Sequence, residues 1–396
     1  MHRACRFLVV FALSALSVSL AGCDLFGTDG GEDGGGTALP EGPAVAAAMQ
    51  GSEPALWVFD PQTLKRTAVI ETENRAPRGV TFSPNDQRWY LTWFVSVRSE
   101  EEARNVRAIL DPTSGEITRR VATSDRSVGA GPLLYEPVTD HVVGYGDSLD
   151  FFDPETLELV REQRLDVASA SVAEDRGKLY FGQATEDGNQ IHVYDPAEQE
   201  ISSTIPLSGV PFSFPDVALS PDERYLFATT WQGGELTAPG RFHMVDLETG
   251  EVVFEGGPVG KSANLAVGPD GRYVYIDSPG GGSLSLAVST EKVYRFDVEA
   301  RELEVLIHWT DGPLEVTGGH GLTADKITML PGGEAFVILN RAVLIDYRPG
   351  IEEVFPPLLK VDAETGEVLA TYTLPRNDEG YVRAEVRQLH FGIVPE

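Results

Sequence analysis

Seven times along this 396-residue chain a short apolar run ends in an aspartate that opens a turn: VFDPQTL, ILDPTSGE, FFDPETLE, VYDPAEQE, MVDLETGE, RFDVEARE and VDAETGE. The aspartates are Asp60, Asp111, Asp153, Asp195, Asp246, Asp297 and Asp362, spaced 51, 42, 42, 51, 51 and 65 residues apart. Recurrence at that distance, with room for several strands in each interval, predicts one closed repeat array rather than two ordinary domains. The turn itself has a local cause. An aspartate at a strand end accepts hydrogen bonds from backbone two residues on, proline presets the next φ, and a late glycine takes a positive φ.

Residues 214 to 255 show the repeating unit most plainly. Phe214 to Leu219 reads as a strand, Ser220-Pro221-Asp222-Glu223 as a turn, and Arg224 to Trp231, Arg241 to Asp246 and Glu251 to Glu255 as three further strands. With these named A to D, complete units fall at 78–122, 130–163, 168–206, 214–255, 262–307 and 325–373. The first repeat has only B, C and D, at Ala44 to Met49, Ala55 to Asp60 and Leu64 to Ile70, while Ala384 to Val394 is a strand without a unit. The expected fold is therefore all-β, a seven-bladed β-propeller of four-stranded antiparallel blades over residues 43–396. Its first blade is closed by the C-terminal strand, which removes the open edges at the seam.

Residues 1–22 stand outside this pattern. His2, Arg3 and Arg6 make a basic start, and Phe7 to Val18 is an apolar run too short to span a bilayer, as in a secretory signal peptide that is removed. Leu20-Ala21-Gly22-Cys23 resembles the lipobox of bacterial lipoproteins, in which the cysteine thiol is acylated and becomes the first mature residue. That resemblance implies lipidation at Cys23; the alternative is plain secretory cleavage. Cys5 lies in the removed peptide, so no thiol is left to pair and the core alone must supply stability. Residues 23–42, with GTDGGEDGGG, are glycine-rich and acidic and read as a disordered tether with a reach on the order of 25 Å. The expected location is the bacterial cell envelope, on the inner or outer membrane, with the domain in the periplasm or at the cell surface.

The formal charge is -30, and signal removal takes two arginines and no acids, moving it to -32. Such a field repels phosphate backbones, so nucleic acid is not an expected partner. A diffuse solubility surface explains the acidity, and no cofactor is expected beyond a weakly bound divalent cation.

GPDGRYVYIDS (268–278) and SPDERYLFATT (220–230) resemble the YVTN-type repeat of seven-bladed propellers. That loose group includes surface and periplasmic proteins and lactonase-like enzymes, so the resemblance implies either a binding role or hydrolysis. The aspartate turn also resembles the repeat of quinoprotein dehydrogenases and of the outer-membrane assembly lipoprotein. In those families a tryptophan commonly ends strand D and eight units are usual; here Phe254 and Tyr372 stand near that place and there are seven.

No catalytic motif is evident. Gly260-Lys261-Ser262 follows the wrong residue, Glu255, for a phosphate-binding loop and lies between strands rather than before a helix. The mature histidines are scattered, with no zinc spacing. His192 and His243 hold matching strand C positions and read as structural, whereas His320, in a Gly-Gly-His-Gly loop, reads as an ordinary loop histidine or a ligand. Trp57, Trp89, Trp93 and Trp231 read as core.

Strand alternation sends the A-B and C-D turns to one face and the long B-C and D-A connections to the other, the expected binding face. Residues beginning the A strands converge at its central mouth: Arg78, Arg126, Asp216, Lys261, Asn264, His320, Lys326 and Arg387. They either focus an anionic small ligand or pair with neighbouring acids and fill the mouth. The expectation is a monomeric, non-catalytic module for an envelope protein or glycan. A hydrolase with its site at the mouth and a quinoprotein-like or assembly-like propeller are the alternatives.

Overall fold

In the computed structural model the described residues are 39, 42–51, 55–72, 77–95, 104–123, 131–185, 188–208, 216–231, 240–259, 264–278, 292–308, 324–330, 332–340, 358–372 and 384–394. The C-terminal expectation is met directly. Ala384–Val394 pairs antiparallel with Gly42–Gly51, from Gly42 against Val394 to Gly51 against Ala384, and becomes strand A of blade 1. Strands B, C and D of that blade are Gly42–Gly51, Ala55–Phe59 and Arg66–Glu71. Six more four-stranded antiparallel sheets follow in simple A-B-C-D order. Their A strands are Gly79–Ser83, Leu133–Glu136, Ser169–Ala173, Asp216–Leu219, Leu265–Val267 and Ala324–Met329, in blades 2 to 7. Each A strand meets the A strands of both neighbouring blades, so the seven form a closed ring.

The core explains why the repeat must close. Side chains alternate across each strand, so every blade has two apolar faces and needs a neighbour on each. The buried residues fall into clusters that correspond one to one with the blade interfaces. Val45, Ala47 and Trp57 of blade 1 pack with Leu330, Val337 and Leu358 of blade 7. Ala44, Ala46 and Leu56 turn the other way, onto Val80, Trp89 and Trp93 of blade 2. Blades 5 and 6 meet through Phe242, Met244, Tyr294 and Phe296, with ring centroids of Phe242 and Phe296 4.8 Å apart. Trp57, Trp89 and Trp93 are core residues, as their strand positions suggest.

All seven aspartate turns have one geometry. The carboxylate accepts the backbone N–H groups two and three residues on, as in Asp153 with Glu155 (3.1 Å) and Thr156 (2.7 Å), or Asp297 with Glu299 (3.0 Å) and Ala300 (2.8 Å). The N–H of the fifth residue closes the turn on the aspartate carbonyl, for example Gly250 on Asp246 at 2.8 Å. That fifth residue has positive φ in every blade: Leu64, Gly115, Leu157, Gln199, Gly250, Arg301 and Gly366. Leu64 is thus a turn residue rather than the start of a strand, and strand D of blade 1 begins at Arg66.

Candidate binding face and channel mouth

Because strands alternate in direction, the A-B and C-D turns share one face. They are short, such as 84–87, 112–115 and 298–301. The strand ends at the opposite face are separated by longer stretches of sequence: 232–239, 279–291 and 341–357 between strands B and C, and 309–323 and 373–383 between strands D and A. A strands begin at this loop-rich face, so their first residues rim the central mouth.

Asp216 is the pivot of the described rim. It opens strand A of blade 5, and its Oδ1 accepts a hydrogen bond from Ser169 Oγ, the first residue of strand A in blade 4, at 2.6 Å. Its Oδ2 accepts the backbone N–H of Leu265, the first residue of strand A in blade 6, at 3.1 Å. One carboxylate therefore joins three consecutive inner strands, supplying acceptors where adjacent blades have no ladder between them. Asn264 closes a second unit with the fully buried Asp277: its backbone N–H donates at 2.7 Å and its amide reaches both carboxylate oxygens at 3.1 Å, while Asp277 N–H donates back to the Asn264 carbonyl.

Across the ring, Arg78 donates its backbone N–H to Thr92 (2.6 Å) and lays its guanidinium over the Phe94 ring at 5.1 Å. Thr92 Oγ1 donates to the Gly131 carbonyl of blade 3 at 3.0 Å. The approach there is close enough to require glycine. A Cβ on Gly79 would sit 2.7 Å from Thr92 Oγ1 and 2.8 Å from the Gly131 carbonyl oxygen, and one on Gly131 would sit 1.9 Å from the Tyr145 carbonyl oxygen. Burial first, and then the Asp216 carboxylate, push the Tyr145 phenol upward, so it stays protonated at ordinary pH.

Of the expected mouth residues, the structure brings Asp216 and Asn264 together on blades 5 and 6 and places Arg78 apart from them on blade 2. Lys326 and Arg387 lie on the inner strands of blades 7 and 1, where the backbone alone is described. Arg126, Lys261, His320 and Cys23 lie outside the described residues. Sequence reasoning missed Ser169, Asp277, Thr92 and Gly131. Ser169 carried a signal, because it opens its A strand as Asp216 does. Asp277 carried none, since its partner Asn264 is fixed only by strand pairing.

Two histidines lie on the C strands of blades 4 and 5, two strands out from the inner strands that rim the mouth. His192 bonds Thr204 Oγ1 (2.9 Å) and Gln183 Oε1 (2.8 Å), and His243 bonds Thr230 Oγ1 (2.9 Å). Burial pushes both imidazoles down, His243 to about 4. Among the described residues no group of three or more His, Cys, Asp or Glu is placed to hold a metal ion.

No protein-family model and no curated protein matches the chain. Solved structures match it in fold. The chain is similar to a "putative 6-phosphogluconolactonase" from Bacteroides uniformis at 13% identity and a TM-score of 0.59, over 89% of this chain and 100% of that one. It is also similar to the hydrazine synthase of Kuenenia stuttgartiensis, at 14% identity and a TM-score of 0.51, over 72% of this chain and 86% of that one. Likeness at such identities speaks for the propeller fold, and chemistry has to be argued from the site.

Proposed function

We propose that this protein is a lipid-anchored propeller of the bacterial cell envelope whose loop-rich face binds or scaffolds an envelope protein or glycan without catalysing a reaction. One observation carries the non-catalytic part: the described carboxylates at the mouth, Asp216 and Asp277, are spent on bonds to the inner strands and the residues that lead into them. A general acid, base or nucleophile needs an atom directed at substrate. Asp216 commits one oxygen to Ser169 and the other to Leu265, and both oxygens of Asp277 face Asn264. Such a rim is a rigid frame, and rigid frames carrying long loops suit recognition.

The test is capture from the cognate envelope by the full chain and by variants shortened within 278–288 or within 308–324. Both variants should fold and lose the partner; undiminished capture by both would refute the binding face. Anchoring is tested separately by Cys23→Ser, which should move the protein from the membrane pellet to the soluble fraction. The fold likeness to the Bacteroides protein motivates a sugar-lactone hydrolysis assay. No turnover above the spontaneous rate is expected, and turnover abolished by Asp216→Asn would replace binding with hydrolysis.

A further inference from the structure

We propose that His243 is an acid-responsive latch beneath the loop-rich face: on gaining a proton it takes over the Glu255 carboxylate and releases the Ser208 hydroxyl at the end of strand D in blade 4. The latch stands on the fold alone. Its use, release of the strand end at Ser208 on the loop-rich face, rests on the binding reading above.

His243 lies on strand C of blade 5, Gly240–Asp246, and none of its surface is accessible. Its Nε2 is 2.9 Å from Thr230 Oγ1 on strand B. Its Nδ1 has no hydrogen-bond partner and lies 3.9 Å from Glu255 Oε2 on strand D, just beyond reach. That same oxygen is in use. It accepts Ser208 Oγ at 2.5 Å, and Ser208 is the residue immediately following strand D of blade 4. The other oxygen, Oε1, accepts from the Arg241 guanidinium. The charged groups facing the imidazole are thus Glu255 from strand D and Arg241 from its own strand, opposite in sign, and strand B contributes only the neutral Thr230 hydroxyl.

Blade 4 provides an internal comparison. His192 occupies the matching position, three residues before its aspartate, and its strand D neighbour is Thr204 in the register where His243 has Glu255. There both ring nitrogens are bonded to neutral groups at ordinary distances, Thr204 and Gln183. Blade 5 differs by a carboxylate in place of the hydroxyl and by one ring nitrogen left about 1 Å short of a bond.

Protonation makes both nitrogens donors. Among the described residues the new Nδ1–H has one acceptor near it, Glu255 Oε2, and the small shift that closes the gap draws that oxygen away from Ser208. Burial opposes the charge and holds the imidazole down to about 4, with Glu255 working against that shift and Arg241 adding to it. The latch is therefore closed at neutral pH. If the opened form lets the imidazole return to its ordinary value of 6.5, opening grows roughly tenfold for each pH unit between 6.5 and 4.

Hydrogen exchange of the full chain between pH 7 and pH 4, corrected for the intrinsic pH dependence of exchange, reads this directly. Protection in segment 251–259 should fall roughly tenfold per pH unit in the native protein and stay level in His243→Gln, while segment 200–208, which also carries Thr204 on the burial-lowered His192, should fall less steeply in the variant than in the native protein. Level protection in the native protein, or an equal fall in His243→Gln, overturns the latch. Should His243→Gln lose protection throughout at pH 7, Glu255→Gln decides instead. It keeps partners for Ser208 and Arg241 but removes the charge that favours protonation, so the onset should move to lower pH, and an unmoved onset is fatal. Failure of the binding reading would appear separately, as capture indifferent to loop shortening.

Discussion

The fifth residue of the aspartate turn separates backbone demand from side-chain chemistry. Only Gly115, Gly250 and Gly366 meet the positive φ without steric conflict; Leu64, Leu157, Gln199 and Arg301 adopt it as L residues, a conformation costing roughly 1–2 kcal/mol. The aspartate was legible as the turn former and the late glycine as its positive-φ residue, but that Leu64, Leu157, Gln199 and Arg301 take the same φ was not. Their φ is imposed by the closing bond to the aspartate carbonyl rather than by their own preference. The cost is offset where the side chain is buried, and Leu64 is 1% exposed. Gln199→Gly should therefore raise the free energy of unfolding by about 0.5–1 kcal/mol in urea titration. Leu64→Gly, at the same backbone position, should lower it, because losing a buried leucine costs about 2–5 kcal/mol. Acid titration tests the turn aspartates and His243 together. Backbone N–H bonds from Thr156 and Thr365 hold Asp153 and Asp362 below 3.8, so their stabilisation is present above that value and lost as pH falls through their folded values. His243, held down to about 4 by burial, stabilises above 6.5 and loses that contribution as pH falls toward 4. Two stages of weakening are expected, and His243→Gln should shrink the upper one, to which the burial-lowered His192 and His141 also contribute.

At the scale of elements, apolar packing at every blade interface is joined, between blades 2 and 3, by close backbone approach at the mouth. Gly79 and Gly131 let strand A of blade 2 and the chain entering blade 3 meet at backbone distance, with Thr92 bridging them. Gly131→Ala places a methyl against the Tyr145 carbonyl, a backbone atom that moves only with its strand. Overpacking of this kind costs about 1–3 kcal/mol and should appear as a lower unfolding midpoint, with Gly79→Ala following in the same direction. Strands were largely readable from alternation and turn chemistry, because both act within a few residues. The mouth was readable only in part. Asp216 was evident as an inner-strand residue, but its bonds to Ser169 and Leu265 cross two blade boundaries and follow from ring curvature, which no local pattern encodes.

For the whole molecule, closure is the property on which the remaining contacts depend. Each blade buries two faces, and blade 1 does so only as a composite of both chain ends, with Ala384–Val394 paired along Gly42–Gly51. Its two sides serve different neighbours, Val45 and Ala47 toward blade 7 and Ala44 and Ala46 toward blade 2. Removing residues 384–396 therefore does more than fray a terminus. It bares the paired edge of Gly42–Gly51, interrupts the ring of inner strands between blades 7 and 2, and opens a seam through which both flanking cores meet water. A loss on that scale is comparable with the roughly 5–15 kcal/mol net stability of a folded domain. The truncated chain should lose cooperative unfolding or melt far lower. If instead the C-terminal strand were an accessory edge, the truncated chain would keep its melting temperature, and the ring would have to be held by the other blade interfaces alone.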